Sequence, residues 1–479
     1  MKKAVLGILL TLFLLLTAVL GYSAWKYRNT YIRTDTGVFR RDLTEIVLTD
    51  DNLPSADLLS ELSALQTIDA RNIRLSVRQY EQLRHDAPQA QILWMVPFQG
   101  VYLDEHTEIL TVNSVTPDDI EILRYFPSLK TIDAQACRDY AAIDKLKEAY
   151  PDLDILYSVS LCGTPYSPDI VELALGNADI SELQDALPYL TQLRKLTFTE
   201  TIPDNEEIYS LSEQFPNVTF DWNFHILGVE TSSSATMLDL SGIQIENLED
   251  FESNLKYFRN LERVEMCDCG IPSDEMGALA ERHPEIKFVW NIQVGKGKLR
   301  TDATAFIPYK IGYNFYHRLK DEQCTELKYC TDLVCLDMGH MDITDLSFLR
   351  YMPHMKYLIV ADTKVTDFSP ISELKELIYL EIFNVRIQDT SIFVGLTNLQ
   401  DLNLCTTQVN STEYLKQMTW LKRLWLVATH LSGEQRAEIR DALPDTQVVF
   451  YAEHSTAAGW RNHQNYRDMR DLLGMFYME

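Results

Sequence analysis

Glycine and proline are both scarce in this chain, 18 and 17 among 479 residues, which excludes a collagen-like repeat and a low-complexity disordered chain. Cysteines at metal-ligand spacing are missing. None of Cys137, Cys162, Cys267, Cys269, Cys324, Cys330, Cys335 and Cys405 stands in a C-x-x-C pair. His340, five residues after Cys335, completes no ligand set, so no metal site is expected. Catalytic patterns are absent too: there is no G-x-S-x-G, no phosphate-binding loop, no H-E-x-x-H and no calcium loop, and no two histidines stand at i, i+4. The sequence therefore predicts no enzyme and no cofactor. Positive charge is the minority sign, 43 Lys+Arg against 70 Asp+Glu, for a net charge of −27. Such a field repels a phosphate backbone and excludes nucleic acid as a partner. The acids are spread along the chain, and doublets such as Asp50-Asp51 and Asp118-Asp119 fall where turns or helix starts are expected.

One long apolar run is present, at the N-terminus. Lys2 and Lys3 precede an uncharged stretch from Ala4 to Ala24, followed by Trp25, Tyr27 and Tyr31, residues suited to a membrane interface. No clean A-x-A cleavage site follows, which favours an uncleaved single-pass anchor at 1–24, then a juxtamembrane linker at 25–44; secretion after signal cleavage is the alternative. Lys26, Arg28, Arg33, Arg40 and Arg41 outnumber the two N-terminal lysines, so the positive-inside count opposes export. A short positive N-terminus before a large folded region is nonetheless the usual signal-anchor arrangement, and places the C-terminal domain outside.

The dominant feature is a repeat. The triplets Leu336-Asp337-Met338, Leu358-Ile359-Val360, Leu380-Glu381-Ile382, Leu402-Asn403-Leu404 and Leu424-Trp425-Leu426 recur every 22 residues. Flanking columns keep the step: Leu333, Met355, Leu377, Leu399, Leu421, and Ile343, Val365, Ile387, Val409, Leu431. The alternating core reads as a short strand with leucine inward; apolar residues three apart, such as Ile371 and Leu374, pack a helical or 3₁₀ turn against it. One coil cannot bury its own face, whereas stacked coils bury a continuous core.

These columns resemble the leucine-rich-repeat superfamily, with a step most similar to bacterial internalin-like 22-residue repeats. The resemblance implies an α/β solenoid, a curved coil with a parallel β-sheet on its concave side, preceded here by the hydrophobic helix. The family's asparagine column is replaced by Met341, Thr363, Val385, Thr407 and Thr429, of which threonine can supply part of the turn hydrogen bonding. The regular repeats with their closing coil span 333–452.

A longer period occupies 45–306, as four modules of about 65 residues with three coils each. Proline followed four residues later by an apolar residue marks Pro88/Ile92, Pro151/Ile155, Pro216/Phe220 and Pro284/Phe288, each opening a strand such as ILWMVPFQG or FDWNFHILG. The aromatic column Trp94, Tyr157, Trp222, Trp290 is expected to point inward, because Ser158, Asn223 and Asn291 beside it are polar. Residues 307–332 fit poorly and read as a junction or degenerate repeat that Cys324 and Cys330 are placed to staple; spacing does not fix which cysteines pair. Residues 453–479, with Trp460, Tyr466, Met469, Leu473 and Phe476 at helical steps, read as a helix capping the last open coil.

Function is then expected on the surface of the solenoid. Outward strand positions in the regular coils bring Tyr357, Ile359, Tyr379, Phe383 and Trp425 to one concave face, an aromatic patch of the kind that binds a partner. The sequence thus predicts a monomeric, membrane-tethered bacterial surface protein that recognises or adheres to a protein or glycan; the alternative is a structural spacer or scaffold of the envelope.

Overall fold

The computed structural model describes residues 2–34, 37–49, 53–176, 178–199 and 204–475, arranged as two compact units, Met1–Phe220 and Asp221–Glu479. Asp50-Asp51 and Phe476 lie outside the described residues. Asp118 and Asp119 do open a helix, Pro117–Ile122, with Thr116 and Asp119 closing a reciprocal capping box.

The first unit begins with one helix, Lys2–Thr30, whose apolar side chains from Val5 to Leu20 are exposed. At about 1.5 Å per residue its 29 residues exceed the hydrocarbon thickness of a bilayer. The stretch 25–44, expected as a juxtamembrane linker, carries regular structure where it is described. The helix continues to Thr30 and runs straight into an antiparallel hairpin, Tyr31–Thr34 with Gly37–Arg40. Ile32 of this hairpin is buried, and the Arg41 N–H donates to Thr30 O at 2.8 Å while its guanidinium reaches Arg28 O and Glu61. Tertiary packing and this clasp override the polar, turn-like composition of the segment.

Each N-terminal module is a three-stranded parallel sheet followed by an antiparallel hairpin. In the first module Glu45–Val47, Thr67–Asp69 and Gln91–Leu93 pair in register, with Ile46, Ile68 and Ile92 in one inward column. The hairpin Met95–Phe98/Val101–Asp104 follows. The second module repeats this with Ile109–Thr111, Thr131–Asp133 and Asp154–Leu156, then Val159–Leu161/Thr164–Tyr166. The third sheet comprises Glu172–Leu175, Lys195–Phe198 and Thr219–Asp221, which ends at the unit boundary. The strands that read as continuous in sequence therefore break at the aromatic column. Trp94, Tyr157, Trp222 and Trp290 sit between the third parallel strand and the hairpin, all buried as expected. The hairpins turn on Gln99-Gly100, Cys162-Gly163 and Leu227-Gly228, where both residues have positive φ. That is the backbone of a tight primed turn, and glycine at its second position is the only glycine column it demands.

The second unit carries the fourth module and the regular repeats. Its seven parallel strands run Ala305–Phe306, Cys335–Asp337, Tyr357–Ile359, Tyr379–Glu381, Asp401–Asn403, Arg423–Trp425 and Gln447–Val449. Leu336, Leu358, Leu380, Leu402 and Leu424 align from strand to strand and are fully buried. Full burial of each contributes about 1.5–3 kcal/mol. Short 3₁₀ turns such as Ser347–Tyr351 and Ser369–Glu373 form the opposite wall. The threonines in the asparagine column act within their own coil: Thr363, Thr407 and Thr429 donate to Val360, Leu404 and Leu426 carbonyls at 2.7–2.9 Å. Residues 307–332 form the coil between the first two strands, with Leu319 and Leu327 fully buried, and Cys324 and Cys330 there are separate buried thiols, not a staple.

The C-terminal segment departs from its expected place. Its 3₁₀ turn Trp460–Asn462 and helix Gln464–Leu472 lie across the outward face of the seven-stranded sheet, from Cys335 in the second strand to Val449 in the last. Trp460, Met469 and Leu473 pack with Ile307, Cys335, Tyr357, Ile359, Tyr379 and Trp425 into one buried cluster.

Candidate functional site

The repeat renews the outward strand face in every coil, and along the described chain that face exists in two states. In the N-terminal modules it is open. Ile109 and Leu156 in the second module are exposed, as are Val47 in the first and Met237 in the fourth. All are apolar side chains on the side opposite the buried columns. Charged neighbours lie beside them. In the fourth module Arg263 bridges Glu265 and Asp302 at 2.9 and 2.5 Å, and Arg300 bridges the same two acids at 3.1 and 2.9 Å. The hydrogen bonds from Arg300 and Arg263 bring the Asp302 carboxyl down to about 2, against the opposing effect of burial.

In several coils the outward position that follows the inward Leu or Ile carries an acid or an amide, beside apolar register partners such as Val47, Leu156 and Ile359. Asp69, Asp133, Asp239, Asp337 and Asn403 each follow an inward Leu or Ile, and each accepts a hydrogen bond from the N–H two residues on, at 2.9–3.2 Å. A short Asx side chain can close this local ring where the strand ends, which is why the residue type recurs. On the open face the bond holds Asp239 below the usual carboxylate range, led by the Ser241 N–H. On the covered face the same bond is outweighed by burial, and Asp337 is pushed up to about 6.

That covered face belongs to the regular repeats. Tyr357, Ile359, Tyr379 and Trp425 are brought together there as the sequence predicts, but they are buried, between 0% and 8% exposed, and Phe383 is partly buried beside them. The exposed aromatic patch is therefore corrected to a floor. The C-terminal segment occupies it because the segment supplies both the missing apolar surface and the polar partners. Arg461 pairs with Glu381 at 2.6 Å, and Trp460 Nε1–H donates to the same carboxylate at 2.7 Å. Asn465 Nδ2–H donates to Asp401 at 2.8 Å, while Arg423 binds Asp401 at 2.7 Å and donates to Trp460 O at 2.8 Å. Asn403 donates to Ser455 O and Trp425 to Ala457 O. Tyr379 donates its hydroxyl to Glu381, and burial with that carboxylate nearby drives the phenol well above its ordinary value.

Glu381, Asp401 and Arg423 stand at outward strand positions, and Trp460 and Arg461 in a short 3₁₀ turn of the C-terminal segment. Their pairing joins positions some 80 residues apart, which alternation within a strand does not encode. Among the described residues no group of three or more His, Cys, Asp and Glu is placed to hold a metal ion.

Parallel strands stacked at a 22-residue step, each backed by a 3₁₀ turn and a threonine-closed loop, decide the architecture. The chain has the leucine-rich-repeat fold. No protein-family model and no curated protein matches this leucine-rich-repeat chain. Solved structures to which it is similar include internalin C2 of Listeria monocytogenes, at 20% identity over 28% of this chain and 70% of that one, with a TM-score of 0.22. An internalin of the same species, internalin F, is 17% identical over 75% of this chain and 87% of its own, with a TM-score of 0.24. A leucine-rich-repeat protein of Leptospira interrogans is 18% identical over 84% of this chain and 93% of its own, with a TM-score of 0.28.

Proposed function

We propose that the chain is a non-catalytic recognition protein, tethered to the cell envelope by its N-terminal helix with the solenoid outside, that binds a protein or glycan along its outward strand faces. The observation that carries this reading is the exposure of apolar side chains at outward strand positions, Ile109 at 63% and Leu156 at 41%, beside polar neighbours on the same open sheet. Apolar positions that the fold leaves uncovered among polar ones are the pattern of a binding surface.

The test is capture from envelope and host-surface extracts by the full chain in detergent, beside an Ile109→Glu/Leu156→Glu variant. Both positions are exposed, so the variant is expected to melt like the wild type. Loss of a captured partner in the variant supports recognition on the open face. Equal capture moves the site elsewhere, and no capture by either favours the spacer or scaffold role.

A further inference from the structure

We propose that residues 453–475 are a displaceable strap, an intramolecular ligand seated on a second recognition face whose external partner is a short basic amphipathic helix with an aromatic anchor. This deepens the recognition reading and rests on it. Four observations converge. First, the strap lies across the outward sheet face and not over the sheet's last strand edge. The strand Gln447–Val449 remains the sheet's edge, while the strap runs back across the face until Met469 O reaches Cys335 Sγ at 3.8 Å. Second, among the described residues its backbone-to-backbone hydrogen bonds close on the strap itself, as from Arg467 N–H to His463 O, so lifting it breaks no strand ladder. Third, the sheet's own leucine column lies on the side opposite the strap, which covers Tyr379 and Trp425 and not the leucines. Fourth, Ala458 and Gly459, both with positive φ, bend the chain within the strap just before Trp460.

The partner's chemistry follows from what the strap satisfies and what it leaves. Trp460 and Arg461 meet Glu381 together, which defines an aromatic anchor next to a cation. Among the described residues Asp337 makes no ion pair, and Arg461 and His340 act on it only through their fields. Among the described residues its donor is the Gly339 N–H, and burial makes its charge costly. A helix that carries a second basic side chain to Asp337 would therefore hold this floor better than the strap does. The chain's net charge of −27 attracts such a partner from a distance.

The experiment uses the full chain in detergent and a dye-labelled synthetic peptide of residues 453–475. A Trp460→Ala/Arg461→Ala variant loosens the chain's own strap and leaves the floor unaltered. It is expected to capture the wild-type peptide at least tenfold more tightly than the wild-type chain does, and not to capture a peptide bearing the same two substitutions. A peptide with Asp468→Lys, made basic by one exchange, is expected to bind more tightly still at low salt; weaker binding overturns the basic-partner assignment. In hydrogen exchange of the wild-type chain, strap amides should open at least tenfold more often than those of Leu358 and Leu380. The strap is instead permanent core, and the proposal fails, if those amides exchange together, if the variant does not fold, or if a folded variant captures no peptide. Such a failure leaves capture through Ile109 and Leu156 untouched, so the two readings fall separately.

Discussion

A left-handed residue recurs at the exit of every regular strand: His340, Asp362, Asn384, Thr406 and Ala428 have φ between 52° and 65°. Asn and Asp tolerate this conformation, whereas alanine and threonine bear a Cβ cost of about 1–2 kcal/mol. Ala428→Gly removes that cost at an exposed site, and after the extra chain entropy of glycine the sheet should gain about 0.5–1 kcal/mol in urea unfolding. No glycine marks these turns, so the column was invisible in the sequence, whereas the alternation of inward leucines was fully legible. Asp337 gives a prediction with a sign. Its carboxyl titrates near 6 beneath the strap, in the field of Glu381, Arg461 and His340, against an ordinary value of 3.8. A raised carboxylate binds its proton more tightly in the covered state, so strap docking is strongest at low pH and weakens as pH rises from about 4 through 6. The full difference is of order 2–3 kcal/mol. Between pH 5 and pH 7 strap opening should rise about tenfold, read by exchange of the strap amides. Asp337→Asn, which copies the amide already present at Asn403, should abolish that slope and hold the strap more firmly at pH 7.

At the scale of elements, two segments carry structure that their sequences did not specify, for opposite reasons. Residues 25–44 are polar and short of apolar periodicity, yet they fold because Ile32 is buried and Arg41 ties the hairpin to the helix end. Of residues 453–479, read from their spacing as a helix, Gln464–Leu472 is helical and Trp460–Asn462 is a 3₁₀ turn, and helical spacing says nothing of where the apolar side docks. The deciding contacts are polar pairs to Glu381 and Asp401 from far along the chain. The buried pair Arg423–Asp401 tests how much the floor depends on such pairing. Asp401→Ala strands the Arg423 guanidinium and should cost about 3–5 kcal/mol in thermal or urea unfolding. Leu380→Asp puts a charge into the leucine column on the other side and should unfold the seven-stranded sheet outright, seen as loss of its cooperative melt. The four hairpins escaped notice because the apolar run through each aromatic residue hides the break; the glycines at 100, 163 and 228 were the available signal.

At the scale of the whole chain, the repeat was legible because several apolar columns keep one step, and the open and covered states of its face were not, because both use the same outward positions. Thiol access gives a test that spans both units. Cys162 sits exposed at a hairpin tip, and the other seven cysteines are buried, with Cys324, Cys330 and Cys405 raised to about 12 by burial. A membrane-impermeant maleimide should therefore modify one site, Cys162, in the folded chain. Labelling of intact cells supports the outside placement, and labelling only after lysis refutes it. The union of helix and hairpin at Thr30 has a mechanical corollary. With the Arg41 clasp bridging Arg28 and Glu61, there is no slack between the bilayer-length helix and the first coil. A tug on that coil is delivered to the helix as a lever delivers load to its pivot, and a twist of the helix turns the coil with it.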